Sequence, residues 1–308
     1  MKLSILIPLF NEAESLQPLY DGIASVMKAN NYQYEVVFVD DGSTDGSFVA
    51  LQKLHAQAPG IVKVIQFSRN CGKSAGLSAG QEIVTGDIVI TMDADLQDDP
   101  VAIPDMLKKL DEGFDVVSGW KKVRHDPVLT KNLPSKLFNF VTSIMSGVKL
   151  HDFNCGFKAY RLAAFKGLEI YGERHRYLPA LAHWNGYRVT EVPVPHHARK
   201  FGTSKFGVGR FLNGPFDLLT IVFLRRYLKN PLHLFGRFGL IFVFAGLAVL
   251  TYFGVEWTIT RQMHIRPLVL LSIGSIIMGI QFISIGLLGE MISHASPKKH
   301  FTIREILK

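Results

Sequence analysis

Residues 238–255 and 267–289 carry no formal charge, and these two stretches limit what the 308-residue chain can fold into more than any other feature. A helix needs about 20 apolar residues to cross the hydrocarbon of a bilayer, and each stretch approaches or exceeds that length. The mean hydropathy of +0.19 and the 48% hydrophobic content are concentrated here. Gly239, Gly246 and Gly254 in the first stretch, and Gly274, Gly279, Gly286 and Gly289 in the second, suit close helix packing in lipid. They would weaken a helix in water. Only residues 256–266 separate the stretches, so the expectation is a transmembrane hairpin with both ends on one side. Arg225, Arg226, Lys229 and Arg237 precede it, and Lys298, Lys299, Arg304 and Lys308 follow. The positive-inside rule therefore places both flanks in the cytoplasm, at an inner or plasma membrane. Arg261 and Arg266 in the connecting loop oppose this weakly. Residues 4–10 are too short an apolar run for a signal peptide and lead straight into Asn11-Glu12, so the N-terminal part is expected to stay cytoplasmic.

The net charge is +8, with lysines and arginines gathered around the spans and the loops before them. That placement fits an anionic membrane surface or a phosphorylated lipid better than nucleic acid. Residues 206–227 mix large apolar side chains with Arg210, Arg225 and Arg226, the pattern of an interfacial helix lying on a bilayer. Cys71 and Cys155 are the only cysteines, and their spacing suggests neither a zinc site nor a disulfide framework.

In the N-terminal part, β-rich apolar runs at 3–9, 34–39, 62–67, 87–92 and 116–119 alternate with helical patterns near 13–29, 47–58, 74–84 and 101–110. Such alternation implies right-handed crossovers and an α/β fold with a mainly parallel sheet, whose ligands bind beyond the carboxyl ends of the strands. Polar clusters stand at four of those ends. They are Pro8-Leu9-Phe10-Asn11-Glu12, Asp40-Asp41-Gly42-Ser43-Thr44-Asp45, Ser68-Arg69-Asn70-Cys71-Gly72-Lys73 and Asp93-Ala94-Asp95-Leu96-Gln97. Each alone has a plain structural reading: Asp45 or Ser47 as a helix cap, Gly42 or Gly72 as a turn, Phe10 as core. Four together point to a nucleotide site. No Gly-x-Gly-x-x-Gly follows a strand, and Gly72-Lys73-Ser74 lacks the upstream glycine of a Walker loop because Phe67 stands there. Dehydrogenase and NTPase readings lose ground accordingly.

The fourth cluster carries the chemistry. Strand side chains alternate, so Asp93 and Asp95 leave the strand on the same side, where one divalent cation can bridge them. Hard oxygen donors suit Mg²⁺ or Mn²⁺, which keep positions open for water and phosphate oxygens.

With Asn154-Cys155-Gly156-Phe157 and the closing Gly286-Leu287-Leu288-Gly289-Glu290 added, the chain resembles family 2, GT-A-fold glycosyltransferases along essentially its whole length. The likeness is to the polyprenyl-phosphate branch, with its bactoprenol glucosyltransferases and dolichol-phosphate mannose synthases. It implies a Rossmann-like sheet with flanking helices, then interfacial helices and two C-terminal transmembrane helices. The expected divisions are a catalytic domain at 1–205, juxtamembrane helices at 206–234, the hairpin at 235–290 and a cytoplasmic tail at 291–308. Pro8, Phe10, Asn11, Glu12, Asp40, Asp41, Ser43, Asn70, Lys73, Ala94, Ser204 and Lys205 are the expected donor-binding residues. Asp93, Asp95 and Gln97 would hold the metal against the donor diphosphate. Asp93, Asp95 and Asp152 are the expected catalytic residues, although a helix cap is an equal reading of Asp152.

The implied reaction is inverting transfer of a sugar from a nucleotide-diphosphate sugar, UDP-glucose first, to undecaprenyl or dolichyl phosphate. A phosphate monoester has a second pKa of about 6, so the acceptor is mostly dianionic in the cytoplasm and needs no strong base. It needs cations, and Arg124, Lys131 and Arg199 are the expected acceptor-phosphate residues, with Lys121 and Lys122 also in range. Gly202-Thr203-Ser204-Lys205 resembles the loop that closes over a donor diphosphate. His151, His196 and His197 fit no standard metal spacing and read as loop histidines. The family suggests a homo-oligomer, a tetramer. Two other readings stand beside this one: a processive polysaccharide synthase, which would carry a Gln-x-x-Arg-Trp motif not seen here, and a non-catalytic scaffold or translocation subunit, whose acidic cluster would have decayed.

Overall fold

The computed structural model describes residues 1–122, 133–172, 174–197, 231–260, 267–293 and 303–307. Two compact units result, one of residues 1–217 with 300–308, the other of residues 218–299.

The first unit is built on an eight-stranded sheet with order β7-β5-β6-β4-β1-β2-β3-β8. Its strands are β1 (Lys2–Leu9), β2 (Gln33–Asp40), β3 (Val62–Phe67), β4 (Ile88–Thr91), β5 (Val116–Trp120), β6 (Lys158–Arg161), β7 (Val189–Pro193) and β8 (Ile303–Leu307). Strands β1 to β4 are parallel, with α1 (Leu16–Ala29), α2 (Ser47–Gln57) and α3 (Lys73–Ile83) as the crossovers. Near-continuous apolar runs such as Ile5-Leu6-Ile7 and Val36-Val37-Phe38-Val39 suit strands covered on both faces. Alternate residues feed two cores. Ile5, Ile7, Phe38 and Ile90 face α1, α2 and α4 (Ile103–Asp111), while Leu6, Val37, Val39 and Val89 face α3.

The five strands and four helices read from periodicity are all present, with shifted ends. Beyond them the sheet departs from simple winding. β6 inserts antiparallel between β4 and β5, and β7 pairs parallel with β5. The chain then closes the far edge, because β8 pairs antiparallel with β3. Part of the expected C-terminal tail is therefore a strand of the first unit. Short strands carrying Lys158, Arg161, Glu191, Arg304 and Glu305 have no apolar period to betray them. Three further helices of the unit lie among the described residues: α5 (Leu133–Ser146), α6 (Leu162–Lys166) and α7 (Leu178–Trp184).

The second unit contains α8 (Pro231–Thr260) and α9 (Pro267–Ser293), both long and apolar enough to cross a membrane. At 1.5 Å per residue α8 is about 45 Å long, and it runs past Glu256, where the sequence suggested a loop. The helices pack antiparallel. A Cβ on Gly239 would lie 2.6 Å from the Gly279 carbonyl oxygen, and one on Gly246 would lie 2.6 Å from that of Ser272. Ser275 Oγ also donates to the Phe242 carbonyl at 2.8 Å. Small residues thus let the backbones meet, while Gly254 and Gly274 face open space.

Candidate active site

Three strand-end loops are lashed together by backbone and side-chain hydrogen bonds. Asn11, at φ +54°, donates its N–H to Ser43 Oγ at 2.8 Å, and its side-chain oxygen accepts from Thr44 N–H at 2.8 Å. Asn tolerates that left-handed geometry better than most residues. Asp41 accepts from Cys71 N–H at 2.6 Å and Gly72 N–H at 2.8 Å, one on each oxygen. Gly42, at φ +73°, makes the close approach possible, since a Cβ there would stand 2.6 Å from the Arg69 carbonyl carbon. Burial raises the Asp41 pKa despite these two N–H donors. The side chain expected to read the donor is thus spent on joining the second loop to the third.

Its neighbour differs. Asp40 is fully buried, with Oδ1 accepting from Ser43 N–H at 2.9 Å, whereas Oδ2 has no hydrogen-bond partner among the described residues. Phe10 is half-buried and belongs to none of the core clusters formed by the described residues. Glu12 sits beside it, its N–H bound to Ser47 Oγ at 2.9 Å. Asn70 is exposed. Two expectations move toward packing: Pro8 is buried, with a Cβ on Gly76 of α3 reaching its side chain at 3.0 Å, and Ala94 lies in the core below β4.

The acidic cluster leaves β4 on a bent backbone. Leu96 takes φ +58°, a strained conformation for a branched side chain and one that concentrates at functional turns. Asp93 pairs with Lys73 from the start of α3, bringing the third loop to the fourth. Partial burial would raise the Asp93 pKa, but the Lys73 ammonium, aided by Lys121 and Lys158, holds it near about 2. The Gln97 side-chain nitrogen donates to the His197 carbonyl at 3.3 Å, which leaves its oxygen for a cation. His197 N–H returns to the Gln97 carbonyl at 2.9 Å, and its ring reaches Asp99 at 3.0 Å. These contacts, with the Asp98–His196 bridge, make His196-His197 a brace for the acidic loop; no local pattern marks it, because the partners lie about a hundred residues apart.

Lys121 is half-buried, paired with Asp98 at 2.8 Å and held protonated by it, so it is not a free phosphate ligand. Asp152 is 1% exposed and accepts from Asn154 N–H at 3.1 Å, in a loop that Asn139 of α5 clamps through the His151 carbonyl and Phe153 N–H. Trp120, at the end of β5, stacks on His151 with ring centroids 4.2 Å apart, and Glu191 of β7 holds that histidine. Arg124, Lys131, Arg199, Ser204 and Lys205 lie outside the described residues. Among the described residues no three His, Cys, Asp or Glu side chains converge as a closed cage. Asp93 is shared with Lys73, and Asp95 Oδ1 accepts from Gln97 N–H at 3.3 Å; two carboxylates and one amide are the donor types that suit a hard cation.

A mainly parallel sheet whose strand-end loops gather around such a turn defines a transferase of the GT-A fold. The chain belongs to glycosyl transferase family 2, whose family model matches residues 4–168. It is 34% identical to a dodecaprenyl-phosphate galacturonate synthase from Rhizobium johnstonii, over 99% of this chain and 93% of that protein. An undecaprenyl-phosphate 4-deoxy-4-formamido-L-arabinose transferase from Pseudomonas fluorescens is also 34% identical, over 99% and 90%. Among solved structures, the glucosyl-3-phosphoglycerate synthase of Mycobacterium tuberculosis aligns with TM-score 0.56 at 18% identity, covering 73% of this chain and 79% of that one. A mannosyltransferase from Pyrobaculum calidifontis aligns with TM-score 0.51 at 18% identity, covering 96% and 76%.

Proposed function

We propose that this glycosyltransferase moves a sugar from a nucleotide-diphosphate donor to the phosphate of a membrane polyprenol, inverting the anomeric carbon. The observation that carries the reading is the linkage of four strand-end loops around Asp93, with polyprenyl phosphate as the acceptor in the names of full-length relatives. Phe10 and Asp40 receive the nucleoside: the aromatic ring flanks a base, and the buried, unsatisfied Oδ2 accepts a base N–H or a ribose hydroxyl. Asp93, Asp95 and the Gln97 oxygen hold Mg²⁺ or Mn²⁺, which neutralises charge on the departing nucleoside diphosphate. Lys73 donates to the same diphosphate. Ser204 and Lys205 close over it, while Arg124, Lys131 and Arg199 draw the acceptor phosphate in. Asp152, buried next to His151 in the loop that Asn139 clamps, orients acceptor groups.

Connectivity supports a membrane hairpin. The chain leaves the first unit, passes through α8 and α9, and returns to pair β8 with β3, so it crosses an even number of times. Flanking arginines and lysines favour the cytoplasm for the first unit.

The sugar is open to a direct choice. UDP-glucose is the expectation from motif likeness, but the relatives' names carry galacturonate and 4-deoxy-4-formamido-L-arabinose. The full chain in vesicles with undecaprenyl phosphate and Mg²⁺ or Mn²⁺ is incubated with each labelled UDP-sugar, UDP-N-acetylglucosamine included, and with labelled GDP-mannose in turn. Label entering the lipid phase from one of them is the expected result, and no transfer from any donor would overturn the reading. Arg124→Ala should raise the KM for undecaprenyl phosphate; an effect confined to the UDP-sugar would move that residue to the donor side.

A further inference from the structure

Behind the acidic turn lies a group of buried polar residues for which the transfer reaction, as described, has no use. Lys158 of β6 is 3% exposed, in register with Thr91 of β4 and Ser118 of β5. It shares its face of the sheet with Tyr160 and the α3 core. Burying an ammonium among such residues is costly, and a core serving stability alone would place an apolar side chain there. Its ammonium donates to the Cys155 carbonyl, within electrostatic reach of Asp93, Asp152 and Lys73. Burial lowers its pKa to about 8 even so.

The turn that Lys158 grips runs directly under Asp93. Thr91, the last residue of β4 and two before Asp93, donates its hydroxyl to the Gly156 carbonyl at 2.8 Å. Gly119 N–H of β5 holds the Phe157 carbonyl at 2.8 Å. Gly156 is not among the glycines with positive φ, so its backbone conformation is open to any residue. Space is the constraint. A Cβ at 156 would stand 2.5 Å from Asp93 Oδ2 and 2.8 Å from both its Cγ and Oδ1. The short Asp93 side chain would have to turn away.

We infer that the Cys155–Lys158 turn is a positioning seat for Asp93: Gly156 sets where the carboxylate lies, and Lys158 holds the turn and supplies a buried positive charge beneath it. The inference rests on the reading of Asp93 as a metal ligand. Neither residue touches the cation, so both act through the aspartate, as partners that orient a ligand commonly do, with losses of about 10- to 100-fold when removed.

Mn²⁺ binding in the presence of UDP, followed by the loss of the free-ion electron paramagnetic resonance signal, tests this on the full chain in detergent. Gly156→Ala should weaken Mn²⁺ about tenfold, with a raised KM for the sugar donor and an unchanged KM for undecaprenyl phosphate. Lys158→Met should do the same, and Lys158→Arg should recover most of the loss. Wild-type Mn²⁺ affinity in both Gly156→Ala and Lys158→Met would overturn the seat, as would affinity losses that follow only a fall in melting temperature with no rescue by arginine. If Gly156→Ala does not fold, the Lys158→Met and Lys158→Arg pair decides. Asp93→Asn separates the two levels: wild-type affinity there removes the metal reading and the seat with it, whereas a loss there without one at 156 or 158 removes the seat alone.

Discussion

Both ends of the central sheet bury carboxylates beside lysines, and they use them in opposite ways. At the amino end Glu35 is fully buried and saturated. It accepts from Ser4 Oγ at 2.5 Å, Thr85 N–H at 2.7 Å and Thr85 Oγ1 at 2.8 Å, and pairs with Lys2 and Lys63 at 2.9 Å each. Burial alone would raise its pKa, but these donors bring it to about 2. At the carboxyl end Asp40 keeps an oxygen without a hydrogen-bond partner among the described residues, and Asp93 keeps 34% of its side chain exposed while sharing itself with Lys73. A carboxylate whose lone pairs are filled fixes strands in place. One with an unsatisfied oxygen, at the end where parallel strands present their loops, has hydrogen-bonding capacity that the fold itself does not use.

Breaking the open end should cost activity without stability. Asp95→Ala is expected to lower sugar transfer by about 10²–10³-fold or more, the scale for removing a charge-stabilising group, with the melting temperature essentially unchanged. Transfer assays and a thermal melt on the same sample read both; a fall in stability comparable to that at Glu35 would erase the contrast. Breaking the closed end should do the reverse. Glu35→Ala strands two lysines, one of them 17% exposed, and should destabilise by about 3 kcal/mol, the lower end for a buried pair. Its folded fraction should keep the wild-type KM for the sugar donor.

Acid titration sharpens the same difference. The folded pKa of Glu35, about 2, lies below the ordinary 4.5, so the unfolded chain takes the proton more readily. Its stabilisation is complete above about 4.5 and is lost as pH falls toward 2. Urea midpoints measured from pH 6 to pH 3 should fall more steeply for wild type than for Glu35→Gln. The smallest effect belongs to the sheet edge. Removing residues 303–308 should cost about 1 kcal/mol and speed hydrogen exchange at 64–67, where β8 pairs, while transfer continues.

Most of the frame around the acidic turn is legible in the sequence. Strands β1 to β5 and helices α1 to α4 follow from apolar period, and the rule that ligands sit at carboxyl strand ends brought Asn11, Ser43, Lys73 and Asp93 to one place. Roles within those clusters were less legible, because adjacent residues of one type meet different partners. Asp40 and Asp41 are chemically alike, yet the turn at Gly42 commits Asp41 to two amides and leaves Asp40 an open oxygen. Lys121, one of several basic residues after β5, is drawn onto Asp98.

By itself the sequence determined what local chemistry and periodicity determine: an alternating α/β unit, an acidic turn after the fourth strand, and two helices able to cross a bilayer. Contacts between distant segments belong to the tertiary structure. It inserted β6 antiparallel, returned the tail to the sheet edge as β8, braced Gln97 with His197, and set Gly156 and Lys158 under Asp93. Those pairings depend on packing between residues up to about 240 positions apart, and no local pattern records which distant atoms will meet.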